Sequence, residues 1–399
     1  MRSVSTHARI VAELIPPAPA VEVGLREAVG RVLAAELVAP ISLPPFANSA
    51  MDGYAVRASD VVELPATLLV SQDIPAGRTD TLPHVPGTAA RIMTGAPLPD
   101  GADTIVPVER TDGGAETVRI DEMPAPGTHV RAIGEDVHAG TPVLPVGSVV
   151  RAPQVGVAAA LGFARLPIRR PPRVLILSTG SELVEPGERL GPGQIYESNS
   201  GMLAAAVAEA GGQPTIEHFV ADDVSAFRAA LTAAATDIDL ILTSGGVSAG
   251  AYEVVKDALT GRGIEFAKVA MQPGMPQGAG HVELADGRSV PMVTLPGNPV
   301  SSYVSFEVFL RPAIRLALGH PDPYRPVVRV PLSTSVDSPA GKRQFRRGVL
   351  DTLTGTVAVW GGPGSHLLSW LAGADAMIVI GEDTTRLEAG DEVEVWLLS

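Results

Sequence analysis

Three short segments rich in glycine, serine and threonine each follow an apolar run of this sequence. They are STGSEL (178–183), TSGGVSAG (243–250) and LPGNP (295–299). Small residues let the backbone approach a ligand closely, and successive N–H groups in such turns bind phosphate and other anions. Any one of these segments could be only a tight turn, but three of them in equivalent positions favour a site for an anionic ligand.

Acidic side chains accompany the same segments. Glu182 lies in the first segment, Asp222 and Asp223 precede a predicted helix, and Glu253 follows the second segment. Carboxylates beside an anion indicate either a bridging Mg²⁺ ion or hydrogen bonds to ring N–H and hydroxyl groups of the ligand. Asp222 and Asp223 could equally be helix N-caps, which stabilise a helix by about 1 kcal/mol without any ligand.

The stretch GVSAG (246–250) also fits the G-x-S-x-G nucleophile elbow, in which Ser248 would be a hydrolase nucleophile. Against this, an extra Ser-Gly pair separates the apolar run from the pattern, and nothing identifies His281, His320 or His366 as the base. A serine hydrolase stays open as an alternative enzyme class.

The apolar runs before the three segments predict buried strands, and alanine-rich stretches between them predict helices. Uninterrupted apolar strands that alternate with helices are typical of a parallel sheet covered on both faces. Ligands bind at the carboxyl ends of such strands, so the topology should bring the three loops together. After the third strand, Asn298 is the predicted helix N-cap, Pro312 a kink and Gly319 the residue just past the helix end.

The remaining sequence predicts further domains of different texture. Residues 1–40, with the stretch AVEVGLREAVGRVLAAELVA (20–39), have apolar residues at helical spacing up to Pro40, whereas short Val-, Thr-, Pro- and Gly-rich runs elsewhere predict strands and turns. The predicted fold is multidomain α/β plus β. Its parts are an elongated helix and strand connecting domain (1–44 and 141–170), an inserted β-rich domain (45–140), a parallel-sheet α/β domain (171–320) and a C-terminal β-barrel-like domain (321–399).

The overall composition excludes several classes of protein. The 399 residues are 45% hydrophobic and 19% charged, which suits a globular chain, and no apolar stretch reaches the roughly 18 to 20 residues that span a bilayer. The N-terminus lacks a signal-peptide pattern, so we expect a cytoplasmic protein without a membrane partner. Absence of cysteine excludes disulfides and thiolate metal sites, and the net charge of −14 argues against nucleic acid as a partner.

Taken together and in order, the motifs resemble the MoeA/gephyrin E-domain family of molybdenum-cofactor biosynthesis enzymes over nearly the whole chain. The motifs that carry the resemblance are NSAMDGYA (48–55), RIMTGAPLPDGADTIVPVE (91–109), STGSEL (178–183), QIYESN (194–199), TSGGVSAG (243–250), LPGNPVSS (295–302) and GSH (364–366).

The resemblance implies a molybdopterin molybdotransferase with a molybdopterin-binding α/β domain. Such an enzyme inserts molybdate into adenylyl-molybdopterin in the presence of Mg²⁺ and releases AMP and Mo-molybdopterin. It also implies a homodimer whose site lies between the α/β domain of one subunit and the β-rich domain of the other. Molybdopterin adenylyltransferase and apo-molybdoenzymes are the further partners that it suggests.

Site residues follow from the resemblance position by position. Asp52 and Thr94 would be the partner subunit's contribution, and Glu182, Asp222 and Glu253 would face the cofactor and hold the metal. The residues implied to bind the pterin, its phosphates or the oxyanion are Gly180, Ser181, Gly245, Gly246, Ser248, Lys268, Gln272, Pro296, Gly297, Asn298, Pro299, Arg347 and Ser365.

Several positions depart from the usual family pattern. An acidic residue is usual in place of Ala251, aspartate in place of Glu253, and lysines in place of Gln272 and Met275, while Asp375 replaces an asparagine. Glutamine can still donate hydrogen bonds to an oxyanion, but two cations are lost. A catalytically altered paralogue that binds or scaffolds the cofactor is therefore a second alternative.

Overall fold

The computed structural model describes residues 1–78, 80–219, 224, 227, 231, 237–245, 254–284 and 286–398. The chain forms two units, one of Met1–Val21, Gly147–Val149 and Pro167–Ser399, the other of Glu22–Val146 and Val150–Leu166. In the described part of the chain, no helix is both long and apolar enough to cross a bilayer. The predicted fold class, multidomain α/β plus β, is confirmed, and the four predicted domain boundaries stay predictions.

The first 170 residues alternate short strands with three helices of the described chain. The elements are α1 (Val4–Leu14), β1 (Ala20–Gly24), α2 (Leu25–Ala28), β2 (Leu37–Val38), β3 (Asn48–Ser49), β4 (Gly53–Val56), β5 (Ala66–Ile74), β6 (Thr88–Ile92), β7 (Thr104–Pro107), β8 (Thr117–Ile120), β9 (Val130–Arg131), β10 (Pro142–Leu144), α3 (Ala152–Ala160) and β11 (Arg165–Arg169), with 3₁₀ turns at Ala58–Asp60 and Val108–Arg110.

The helical spacing predicted over residues 1–40 is confirmed for α1 but was misleading over residues 20–39. This stretch forms β1, the single turn α2 and β2, and the strands pair with β11 and β10 respectively. The β-branched residues Val21 and Val23 favour an extended backbone. Gly30, at φ +80°, adopts a left-handed conformation that ends any helix there.

A five-stranded sheet forms the core of the second unit. Its strand order is β7-β4-β6-β5-β8, with β5 and β6 parallel and the other neighbours antiparallel. All four residues of β4 are buried because apolar clusters cover both faces, with Tyr54 on one and Ala55 on the other. Gly53 is required in this strand, since a Cβ there would lie 2.1 Å from the Val106 carbonyl oxygen.

The α/β part of the chain begins at Arg173. Its elements are β12 (Arg173–Thr179), β13 (Leu183–Val184), β14 (Ile195–Tyr196), α4 (Asn199–Glu209), β15 (Gln213–Phe219), β16 (Leu240–Ser244), α5 (Val254–Leu259), β17 (Ile264–Lys268), β18 (Met271–Gln272), β19 (Pro276–Glu283), β20 (Ser289–Leu295), α6 (Pro299–Ser305), a π-helical turn (Phe306–Leu310) and α7 (Arg311–Ala317).

The predicted buried strands are β12, β16 and β20, and they are parallel neighbours in a six-stranded sheet. The order is β15-β12-β16-β20-β19-β17, and the hairpin of β17 and β19 adds an antiparallel edge. Apolar clusters cover both faces, with Ile176 and Leu242 on one and Leu177 and Ile241 on the other. This two-sided burial explains the uninterrupted apolar runs.

Asp239, directly before β16, is held by hydrogen bonds to Arg170 and Arg173. Its carboxylate accepts hydrogen bonds from Arg170 Nη2 at 2.9 Å and from the Arg173 backbone N–H at 2.8 Å. Burial by itself raises the pKa of Asp239, but the hydrogen bonds from the two arginines outweigh burial and lower the pKa to about 2.

The helix after β20 confirms two positional predictions, those for Asn298 and Gly319. Asn298 is the N-cap, although its side chain makes no capping hydrogen bond, and Gly319 follows the C-cap residue with φ +69°. Pro312 lies in the first turn of α7, directly after the π-helical turn. The wider turn accommodates the residue without an N–H, and the kink expected at Pro312 stays a prediction.

The C-terminal part forms a second six-stranded sheet. Its order is β18-β23-β25-β27-β21, with β24 paired to β23, so β18 reaches it from the α/β part of the chain. The elements are β21 (Val327–Pro331), β22 (Val336–Asp337), β23 (Arg343–Asp351), β24 (Thr356–Val359), α8 (Leu368–Ala372), β25 (Ala376–Ile380), β26 (Arg386–Leu387) and β27 (Glu392–Leu397).

Candidate functional site

The three glycine- and serine-rich loops start side by side at one edge of the α/β sheet. The register pairs Ser178 with Ser244, and Ser244 with Leu295, at the carboxyl ends of β12, β16 and β20. The Gly245 N–H donates to the Leu295 carbonyl oxygen at 3.1 Å. Gly245 has φ +98°, and a Cβ there would lie 3.2 Å from the Thr179 carbonyl oxygen, so this position requires glycine.

Gly297, in the third loop, lies directly over Gly245. A Cβ added at Gly297 would be 3.4 Å from the Gly245 Cα atom. Pro296 is buried, whereas Gly297 and Asn298 are exposed and Pro299 begins α6. The sheet edge therefore presents an accessible backbone, which is the geometry needed for an anionic ligand at strand ends.

A buried carboxylate organises the start of α4 beneath these loops. Glu197 is 6% exposed. Its Oε1 accepts from Ser178 Oγ and from the N–H groups of Asn199 and Ser200, each at 2.9 Å, and its Oε2 accepts from the Ser200 hydroxyl. Glu197 thus binds the end of β12 to the first turn of α4.

Asn199 links the other two loops. Its Nδ2 donates to Ser244 Oγ at 2.8 Å and to the Gly297 carbonyl oxygen at 2.6 Å. Among the residues that the structure describes, its buried Oδ1 has no hydrogen-bond partner. Asn199 therefore holds the third loop against the end of β16 and keeps one acceptor available.

The first loop carries the predicted metal ligand Glu182. Ser181 and Glu182 are exposed and Gly180 is buried. A Cβ at Gly180 would lie 2.7 Å from Glu182 Oε2, so the carboxylate folds back over that glycine. The other predicted metal ligands, Asp222 and Glu253, lie outside the described residues.

Two predicted backbone contacts, at Gly246 and Ser248, also lie outside the described residues. Within those that are described, no group of three or more His, Asp or Glu side chains could hold a metal ion. The described chain therefore contains one member of the predicted metal set, Glu182.

Asp52 and Thr94, predicted to act together, are in contact in the second unit. Asp52 Oδ1 accepts from the Thr94 N–H at 2.6 Å and from Thr94 Oγ1 at 2.7 Å. The backbone hydrogen bond, followed by the hydroxyl, lowers the pKa of Asp52, which is solvent-exposed. Thr94 thus orients the Asp52 carboxylate and favours its ionised form on a surface of the second unit.

A narrow cleft in the C-terminal sheet brings together two of the residues predicted near the oxyanion. Gln272 and Arg347 both line it, together with Pro273, Val300, Gln344, Phe345, Arg346, Gly362 and Pro363. The cleft exists because β18 pairs with β23 in parallel, which sets Gln272 opposite Gln344. None of the lining residues is acidic.

The guanidinium of Arg347 is hydrogen-bonded to the adjacent loop. It is 6% exposed, and Nη1 donates to the carbonyl oxygens of Leu367 at 3.1 Å and Gly364 at 3.3 Å, while Nη2 donates to that of Gly362. The backbone carbonyl oxygen of Ser365 in this loop accepts a hydrogen bond from the Val300 N–H at 3.1 Å. Lys268 is exposed at the end of β17 and does not line the cleft.

Comparison with known proteins decides the family. Three family models match successive parts of the chain: the MoeA N-terminal region (domain I and II) over residues 2–162, a probable molybdopterin binding domain over 175–316, and the MoeA C-terminal region (domain IV) over 329–398. The chain belongs to the MoeA family. The resemblance inferred from the motifs is thereby confirmed.

Relatives of this MoeA-family chain match it from end to end. A protein of Mycobacterium tuberculosis named molybdopterin molybdenumtransferase 2 is 55% identical over 410 residues, covering 100% of both chains. Molybdopterin molybdenumtransferase 1 of the same organism is 36% identical over 427 residues, covering 100% of this chain and 99% of the relative. Two structures of a Pyrococcus horikoshii MoeA protein, 29% identical, have TM-scores of 0.85 and 0.80 and cover the whole of this chain.

Sequence reasoning missed the two residues that tie the MoeA site together, Glu197 and Asn199. Both belong to the motif QIYESN, which supported the resemblance without any role being given to its members. An acid two residues before a helix suggests a capping role. The sequence feature that could have identified both residues is the polar run ESNS, which begins a helix whose inner face is otherwise apolar.

Proposed function

We propose that this chain is a molybdopterin molybdotransferase that inserts molybdate into adenylyl-molybdopterin and releases AMP and Mo-molybdopterin. Its relatives over the full length are named molybdopterin molybdenumtransferases. The observation that carries the proposal is that three glycine- and serine-rich loops start side by side at the ends of β12, β16 and β20, inside the segment that matches a probable molybdopterin binding domain.

The loops supply binding and orientation. Backbone amides at these strand ends, including that of Gly297, bind the phosphates of the ligand, because strand-end amides favour negative charge. Gly245 contributes close approach, since its N–H already donates to the Leu295 carbonyl oxygen. Asn199 fixes the spacing of these loops. The ligand is thus held by directed groups in a chain whose net charge of −14 would otherwise repel it.

Mg²⁺ belongs to the proposal, with Glu182, Asp222 and Glu253 as its carboxylate ligands. Carboxylate oxygens are the donors that Mg²⁺ prefers, and the described member, Glu182, is exposed and makes no ion pair within the described residues. The ion would neutralise the phosphoanhydride and so stabilise the charge that develops as AMP leaves. Without it, carboxylates beside the phosphates would repel the ligand.

A homodimer completes the proposed site. Asp52, held ionised by Thr94, would come from the partner subunit to contact the ligand at the strand ends. We place the enzyme in the cytoplasm, as expected for a cysteine-free chain that needs no oxidising compartment. Molybdopterin adenylyltransferase and apo-molybdoenzymes are the proposed partners that deliver the substrate and receive the product.

The test is release of AMP from adenylyl-molybdopterin by the purified protein with Mg²⁺, with and without molybdate. We expect release that depends on molybdate. Tight binding of adenylyl-molybdopterin with no AMP release would contradict the proposal and favour the paralogue that only binds the cofactor. Release of AMP at an equal rate without molybdate would also contradict it, because hydrolysis would then be uncoupled from metal insertion.

A further inference from the structure

Two adjacent arginines in the cleft of the C-terminal sheet have no carboxylate partner in the described chain. Arg343 on the same strand pairs with Glu382 at 3.2 Å, but no acidic side chain within the described ranges lies within 4 Å of the guanidinium of Arg346 or Arg347. Unpaired charges that are partly buried are costly unless hydrogen bonds or a bound counter-ion compensate them. An anion is the missing partner that this arrangement favours.

The two arginines differ in how many donors they keep free. Arg347 donates to three carbonyl oxygens of the loop, whereas Arg346 makes one long hydrogen bond, 3.4 Å from Nη2 to the Gly361 carbonyl oxygen. A guanidinium has five N–H donors. Arg346 therefore keeps most of its donors for a ligand, while Arg347 chiefly shapes the loop.

Two glutamine amides complete the polar lining. Gln344 is 2% exposed, and its Oε1 has no hydrogen-bond partner among the described residues. Rotation of the terminal torsion by 180° would present the NH₂ group instead of the oxygen. Gln272, set opposite Gln344 by the pairing of β18 and β23, supplies a second amide. Neutral donors and a guanidinium together suit an oxyanion.

We propose that Arg346, assisted by the amide of Gln344, is an oxyanion-binding residue that supplies the positive charge which Gln272 does not. The inference rests on the proposed function for the identity of the anion, molybdate. It goes further by making Arg346, next to the loop-holding Arg347, the determinant of oxyanion affinity in this chain. A charged hydrogen bond contributes more than a neutral one, so its removal should weaken binding about tenfold or more.

The experiment measures molybdate alone, by calorimetry, against the full-length protein and three variants. Arg346→Gln removes the charge but keeps an N–H donor, Arg346→Lys keeps the charge, and Arg343→Gln is the matched control on the same strand outside the cleft. We expect at least about a tenfold weaker Kd for Arg346→Gln, a smaller change for Arg346→Lys and no change for Arg343→Gln. Urea unfolding of each variant verifies that the fold is intact.

Equal molybdate affinity of Arg346→Gln and the wild type, or an equal loss in Arg343→Gln, would overturn the inference. If Arg346→Gln does not fold, Arg346→Lys and the ionic-strength dependence of Kd decide, since a charge contact weakens with salt. The KM for molybdate in the AMP assay separates the two proposals. If Arg346→Gln turns over with an unchanged KM for molybdate, the role of Arg346 is refuted and the proposed function stands. If molybdate binding depends on Arg346 but the wild type shows no turnover, the proposed function is refuted and the role of Arg346 stands.

Discussion

Replacement of Asn199 tests whether one side chain holds the ligand-binding loops together. Its Nδ2 makes two hydrogen bonds, 2.8 Å to Ser244 Oγ and 2.6 Å to the Gly297 carbonyl oxygen. Each is worth about 1 kcal/mol net, so Asn199→Ala should lower the free energy of unfolding by about 2 kcal/mol, a factor of about 30 in the folding equilibrium.

Asn199→Asp tests the hydrogen bonds more directly, because it keeps the shape of the side chain and removes the Nδ2 donors. The Ser244 hydroxyl can donate to the new carboxylate, but two oxygens would face each other at Gly297. A negative charge in the first turn of α4 stabilises a helix by about 0.3–1 kcal/mol. Here the buried Glu197 carboxylate already occupies that helix start, so repulsion between the two carboxylates outweighs this gain. We therefore expect Asn199→Asp to be less stable than Asn199→Ala, by about 1 kcal/mol, and to loosen the third loop more.

Urea denaturation gives the two stabilities, and hydrogen–deuterium exchange of peptides covering residues 295–300 gives the loop opening. We expect faster exchange in both variants and a raised KM for adenylyl-molybdopterin. If both variants exchange these amides at the wild-type rate, or if the stability order is reversed, Asn199 does not act as the tether and the reasoning is refuted.

Three further predictions concern charge and assembly. Glu182→Gln should weaken the Mg²⁺ dependence of turnover more than it weakens ligand binding. The control Glu188→Gln, which changes an exposed acid nearby, should leave both unchanged. A wild-type Mg²⁺ titration of Glu182→Gln would argue against Glu182 as a Mg²⁺ ligand. Mixing inactive Asp52→Ala subunits with inactive Glu182→Ala subunits should restore activity in heterodimers, and no gain over the separate variants would mean that each site is built within one subunit. Because the pKa of Asp239 is lowered to about 2 in the folded chain from 3.8, its contribution to stability is present above about pH 4 and lost as pH falls towards 2. Denaturation at pH 5 and pH 3 should therefore show a smaller pH dependence in Asp239→Asn than in the wild type, and identical pH dependence would contradict the assignment.

The α/β sheet could be predicted from sequence because its signal is local. Strands β12, β16 and β20 are apolar runs that end at glycine or serine, and parallel topology alone places their ends together. The error over residues 20–39 has the opposite origin. There, apolar spacing matched a helix, but the strand β1 is stabilised by pairing with β11, about 145 residues away in the sequence, which no local window contains.

The cleft in the C-terminal sheet could not be located from sequence alone. It depends on β18, only two residues long, pairing with β23 some seventy residues later. The resemblance supplied Gln272 and Arg347, but Arg346 and Gln344 became visible only when the strands were placed side by side. Glu197 was missed for a different reason, since a buried carboxylate that accepts four hydrogen bonds looks in sequence like any acid before a helix.

Transfer of molybdenum to the pterin by this chain can be followed through the metal itself. Purified protein is incubated with adenylyl-molybdopterin, Mg²⁺ and radiolabelled molybdate, the pterin product is separated, and its ability to activate an apo-molybdoenzyme is assayed. We expect label on the pterin in proportion to the AMP released, together with active molybdoenzyme. Pterin that carries no label and restores no activity, although AMP has been released, would contradict it.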